Sequence, residues 1–60
     1  MGIKEKREAK SMTQTEIAEK LNISRTTVSM WETGDSMPRA DKLPALAKIL
    51  DCTIDELMGE

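Results

Sequence analysis

Thr13-Gln14-Thr15-Glu16-Ile17-Ala18-Glu19-Lys20-Leu21-Asn22-Ile23-Ser24-Arg25-Thr26-Thr27-Val28-Ser29-Met30-Trp31 decides the fold. Thr13 followed three residues later by Glu16 has the form of a capping box, and Met12 and Ile17 stand where a hydrophobic staple would close across it. The spacing predicts a helix over 14–21 that buries Ile17, Ala18 and Leu21. Ser24 is a second good N-cap, with Ile23 and Val28 in the staple positions. It predicts a helix over 25–33, ended by Gly34, which accepts the left-handed conformation that closes a helix. The connection is only Asn22, Ile23 and Ser24. So short a turn brings two helices together at a steep angle. The crossing needs a small residue, which Ala18 supplies, and one left-handed residue, for which Asn ranks next to Gly. Asn22 fills that place.

Val28 and Trp31, three apart, give the second of these helices an apolar inner face. Its outer face, Arg25, Thr26, Thr27, Ser29 and Met30, is left free. The major groove of DNA admits one α-helix, and polar side chains there can read the donor and acceptor pattern of base edges. Arg25, at the start of the helix, suits bidentate pairing with guanine, which discriminates by about 1–3 kcal/mol. Thr26 and Thr27 suit bases, phosphates or a thymine methyl. Thr13 and Gln14, at the start of the preceding helix, lie where free N–H groups and the helix dipole favour a phosphate.

Outward from this pair the chain reads as three more short helices. The first spans about 3–10, with Ile3, Arg7 and Lys10 on one face. After a loop over 35–38, the fourth starts near Asp41, with Pro44 in its first turn, where the missing N–H costs nothing. Leu43, Leu46, Ala47 and Leu50 form its apolar face. The fifth is a short segment over 53–58, opened by a second capping box at Thr53 and Glu56 and a staple between Cys52 and Leu57. No strand-like alternation and no repeat occurs. The expected architecture is an all-α compact bundle of five short helices, one domain over 1–60. Trp31 belongs to the core, the methionines are expected to fill gaps in it, and Leu57 with Met58 is a candidate dimer seam.

Composition excludes other classes. A chain of 60 residues buries only about 60% of its unfolded surface, too little for a deep catalytic cleft. It has no His, a single cysteine (Cys52), no metal-ligand spacing, no glycine-rich phosphate loop and no nucleophile–base pair. The reading is therefore not an enzyme, with no cofactor, no metal and no small-molecule substrate. One cysteine closes no internal disulfide, which fits a reducing, cytoplasmic setting. No apolar run approaches a membrane span, and the first residues lack a signal-peptide core. Net charge is −2, unevenly distributed. Residues 1–30 hold six basic side chains against four acids, and residues 31–60 hold three against seven. That division allows a DNA-facing front and an acidic back.

The run Thr13-Gln14-x-x-Ile17-Ala18-x-x-Leu21-x-Ile23-Ser24-x-x-x-Val28-x-x-Trp31-Glu32-x-Gly34 resembles the Cro/phage-repressor helix-turn-helix family, often called XRE-like. Met37-Pro38, Leu43, Leu46-Ala47-x-x-Leu50 and Ile54-Asp55-Glu56-Leu57 extend the resemblance over almost the whole chain. It implies a lambda-repressor-like five-helix fold and a repressor-like transcriptional regulator that binds double-stranded DNA, a palindromic operator, as a homodimer. By position, it implies DNA contacts from Gln14, Ser24, Arg25, Thr26, Thr27 and Met30, and phosphate contacts from Ser36 and Arg39. It also implies an internal ion pair between Arg7 and Glu32. Met30, Thr33 and Asp35 depart from the family pattern toward weaker DNA contacts, and Asp35 would repel a phosphate. Ser11 and Asp51 stand where glycines are common. The alternative is a protein-interaction module, such as an antitoxin-like partner, that keeps the fold; the acidic second half favours it.

Overall fold

The computed structural model describes residues 2–58. Five α-helices follow in order: α1 (Ile3–Ala9), α2 (Gln14–Leu21), α3 (Arg25–Thr33), α4 (Leu43–Ile49) and α5 (Ile54–Leu57). No strand occurs among the described residues. One element departs from the expected pattern. The fourth helix does not start as an α-helix near Asp41; a 3₁₀ turn over Ala40–Lys42 precedes α4. Pro44, in the first turn of α4, lacks the N–H that would bond back to this segment, so the tighter turn costs no hydrogen bond.

Three joints of the chain share one construction. Ser11, Asn22 and Asp51 adopt left-handed backbone, with φ of 55°, 58° and 55°. The following residue then donates its N–H five residues back: Met12 to the Arg7 carbonyl (3.1 Å), Ile23 to Ala18 (2.9 Å) and Cys52 to Ala47 (3.0 Å). This reversal satisfies carbonyls that the helix end would leave open. Met12, Ile23 and Cys52 are half-buried and pack against the core. The next residue in each joint (Thr13, Ser24, Thr53) caps the following helix with its side-chain oxygen. At Thr13 and Thr53 the box is complete, with Glu16 and Glu56 returning to the cap N–H at 2.8 Å.

The core is aliphatic around one indole. Ile3, Ile17, Val28, Leu46, Leu50 and Leu57 are fully buried, and Trp31, Ala18, Leu21 and Ala47 nearly so. α2 packs chiefly on α3 and on α4, while α1 closes against α3. The Gly2 N–H donates to the Leu57 carbonyl at 3.0 Å, joining α1 to α5.

Two packing expectations need correction. Of the methionines, Met12 alone packs against the core among the described residues; Met30, Met37 and Met58 are exposed, and Met1 lies outside the described residues. The isoleucine and leucine positions already fill the space between the helices. Leu57 is fully buried inside its own domain, so it offers nothing to a dimer seam; Ile54 of α5 and Met58, which follows the helix, are the exposed apolar side chains there.

Candidate nucleic-acid interface

The cap at Ser24 fixes where α3 begins and therefore which side chains stand at its exposed start. Ser24 Oγ accepts the Thr27 N–H at 3.2 Å, and the two hydroxyls share a hydrogen bond at 3.0 Å. Ser24 is exposed and Thr27 half-buried. Both are thus occupied with each other, and a further partner would have to share or displace that bond. Arg25 and Thr26 are exposed. Ser29, expected on the free face, is half-buried. Met30 is 36% exposed and closes the outer face with an apolar side chain.

α2 brings a second helix start beside the first. Thr13 is exposed at its cap. Gln14 is half-buried and points toward α3, not to solvent: its Nε2 donates to Glu32 Oε1 at 3.0 Å, and its Oε1 accepts from Arg25 Nη1 at 3.1 Å. The structure thus brings Gln14 and Arg25 together. Ser36 and Arg39 follow α3 in the connection to the 3₁₀ turn. The Ser36 N–H donates to the Met30 carbonyl at 3.3 Å, and Arg39 is exposed at the N-cap of the turn. Neither side chain is hydrogen-bonded to the Gln14–Arg25 cluster among the described residues. Asp35 is exposed and accepts from the Thr33 hydroxyl at 3.1 Å.

Behind the surface lies a two-pronged ion pair. Arg7 Nε donates to Glu32 Oε2 at 2.7 Å and Nη2 to Oε1 at 3.1 Å, while Nη1 holds the Met12 carbonyl at 2.9 Å. The side chains retain only 14% and 5% of their surface. Burial alone would raise the Glu32 carboxyl. The hydrogen bonds from Arg7 and Gln14, with the positive charges of Arg7 and Lys4, outweigh it and hold the carboxyl below the usual range. Glu32 therefore stays ionised behind the exposed start of α3, as a hydrogen-bond acceptor only. Its bond to Gln14 is the feature sequence reasoning missed. The two residues lie 18 apart, and no periodicity links them. No group of three or more His, Cys, Asp or Glu side chains fit to hold a metal occurs among the described residues.

Comparison with known proteins agrees with this architecture. Residues 3–57 match the family model described as Helix-turn-helix. The chain is 42% identical over 53 residues to the HTH-type transcriptional activator BcrR of Enterococcus faecalis, covering 88% of this chain and 26% of that protein. It is 49% identical over 41 residues to the HTH-type transcriptional regulator DicA of Escherichia coli, covering 68% of this chain and 30% of that protein. It is 36% identical over 63 residues to the cryptic phage CTXphi transcriptional repressor RstR of Vibrio cholerae, covering 98% and 56%. The chain thus spans between a quarter and just over half the length of these relatives. No solved structure matches the chain. A model match across 3–57, on an α2–turn–α3 unit with capped helix starts, settles the family: the chain belongs to the helix-turn-helix family of the Cro/phage-repressor, XRE-like type.

Proposed function

We propose that this chain is a sequence-specific DNA-binding module of a transcriptional regulator, reading the major groove with α3. The observation that carries the reading is the exposed start of α3, where Arg25, held at Nη1 by Gln14, and Thr26 face solvent beside the start of α2. In this reading Arg25 pairs with guanine, Thr26 and Met30 meet neighbouring bases, and Ser24 and Thr27 share their hydroxyls with phosphates or bases. Thr13 and Gln14, at the start of α2, sit over the backbone, with Ser36 and Arg39 on the phosphates beyond α3. One module reads one half-site. Two modules with their recognition helices about 34 Å apart would read a palindromic operator as a homodimer. An activator and a repressor both carry a similar module, so the sign of regulation is not written in it. Repressor-like action requires only that the bound module occlude a promoter. This role places the protein with the DNA in the cytoplasm; no described helix is long and apolar enough to cross a membrane.

One observation favours a second reading, a protein-interaction module with weak DNA binding: residues 31–60 carry seven acids against three basic side chains. A salt titration of binding to mixed-sequence duplex DNA separates the two. A log–log slope worth several phosphates supports the DNA-binding module, and no binding at low salt supports the interaction module.

A further inference from the structure

We infer that Glu32, which reaches no DNA itself, is a positioning residue for base readout: it sets the orientation of the Gln14 amide, and the amide holds the Arg25 guanidinium. This rests on the DNA-binding reading above. The four residues form one connected chain, Arg7–Glu32–Gln14–Arg25, running from α1 through α3 and α2 back to the exposed start of α3. Only one arrangement of donors and acceptors satisfies it. Arg7 is a donor at both prongs, so the ionised Glu32 carboxylate is an acceptor at both oxygens. The group of Gln14 facing Glu32 must then be its NH₂. The amide oxygen is left facing Arg25, which has only donors to offer. Turning the amide over would set oxygen against carboxylate and NH₂ against guanidinium, losing both bonds at once.

Two consequences follow for recognition. First, position 25 must be a donor: the Gln14 oxygen selects Arg there and would repel an acidic side chain. Second, the bond uses Nη1 of Arg25 (3.1 Å) and leaves the Nε–Nη2 edge without a partner among the described residues. That edge carries two parallel N–H groups, the pattern that meets O6 and N7 of guanine. An exposed arginine otherwise samples many rotamers, and the cost of ordering it only where guanine is met subtracts from the preference for guanine. Gln14 orders it beforehand, on the buried ion pair.

The test is a base-preference comparison of wild type, Arg25→Ala, Gln14→Ala and Glu32→Gln on duplexes selected by the wild-type protein from a random pool. Arg25→Ala identifies the base pair at which a guanine preference, on the order of tenfold, disappears. Gln14→Ala and Glu32→Gln are expected to reduce preference at that same base pair to within about threefold, leaving the other positions unchanged. A loss of stability or of a phosphate contact would weaken binding to all sequences alike. Full preference retained in Gln14→Ala overturns the inference, and that variant carries the test if Glu32→Gln does not fold. Should the wild type enrich no sequence, the DNA-binding reading itself fails. The relay is then judged in the free protein, where slowed rotation of the Arg25 guanidinium by NMR, freed in Gln14→Ala, supports it. Identical guanidinium signals in the two proteins refute it.

Discussion

Arg7 and Glu32 meet fork to fork across 25 positions of sequence, through Nε–Oε2 at 2.7 Å and Nη2–Oε1 at 3.1 Å. The pair joins α1 to the end of α3, and the third arm of Arg7 holds the Met12 carbonyl, the joint that opens α2. One guanidinium thereby fixes the mutual placement of three helices. A buried pair of this kind is not in itself a gain over apolar packing, yet removing one partner strands the other charge.

Arg7→Ala is therefore expected to lower stability by about 3 kcal/mol, a large share of what so short a chain commands. Lys6→Ala is the control. Lys6 also has an acidic partner, Glu56 at 3.5 Å, but the side chains retain 34% and 48% of their surface, and pairs so open to water contribute about 1 kcal/mol or less. Urea denaturation of the two variants checks the ordering. Equal midpoints would show that the pair behind α3 does not hold the helices together.

The same carboxyl gives the stability a pH dependence. Glu32 has a folded pKa below the usual glutamate value, so its contribution is complete above the unfolded pKa of about 4.3. It is lost as pH falls from there through the lower folded pKa. The exposed Glu56 carboxyl is also held low, first by the hydrogen bond from the Thr53 backbone and then by Lys6. The difference between wild type and Glu32→Gln isolates Glu32. The gap between their midpoints should be constant near neutral pH and narrow as acid is added; a gap that stays constant to pH 3 would contradict the assignment.

Two of the three left-handed joints carry a side chain where glycine fits better. Ser11 and Asp51 both have φ of 55°, a conformation that strains a residue with a Cβ. Ser11→Gly should stabilise the domain by about 0.5–1 kcal/mol, net of the entropy that glycine adds to the unfolded chain, and Asp51→Gly by less, because a short carboxylate side chain also tolerates this conformation. The Lys10–Asp51 contact at 3.7 Å is exposed, and its loss subtracts little. Asn22, which tolerates this conformation, should gain less from the same change. Thermal melts of the three variants check the order.

Asp35 stands beside the proposed phosphate contacts with the wrong sign. Asp35→Lys should tighten binding to mixed duplex DNA and steepen the log–log salt slope by about one unit. The cost is only an exposed hydrogen bond from Thr33. An unchanged slope would place the connection after α3 away from the DNA backbone.

How far these features could be read in advance depended on their range in sequence. Helix starts are local: a cap, a box three residues on and a staple, so Thr13, Ser24 and Thr53 mark the boundaries of α2, α3 and α5 unaided. Asn22 announced its own left-handed turn for the same reason. The inward turn of Gln14 was hidden, because its partner is brought to it only by the angle between α2 and α3. The methionines misled, since hydrophobicity alone does not say that Ile and Leu side chains have already filled the core. Leu57 was legible as a staple partner of Cys52, and that role is what removes it from the surface. The outer face of α3 is less free than its residue types suggest, because Thr27 is bonded to the capping Ser24, a pairing that only the cap geometry creates.

Recognition by α3 is most directly tested by selecting bound sequences from a random duplex pool. The account predicts one enriched palindrome whose half-sites lie about 10 base pairs, or one helical turn, apart, with a guanine preference that Arg25→Ala abolishes. A pool that emerges unenriched, or an enriched sequence indifferent to Arg25→Ala, would contradict it.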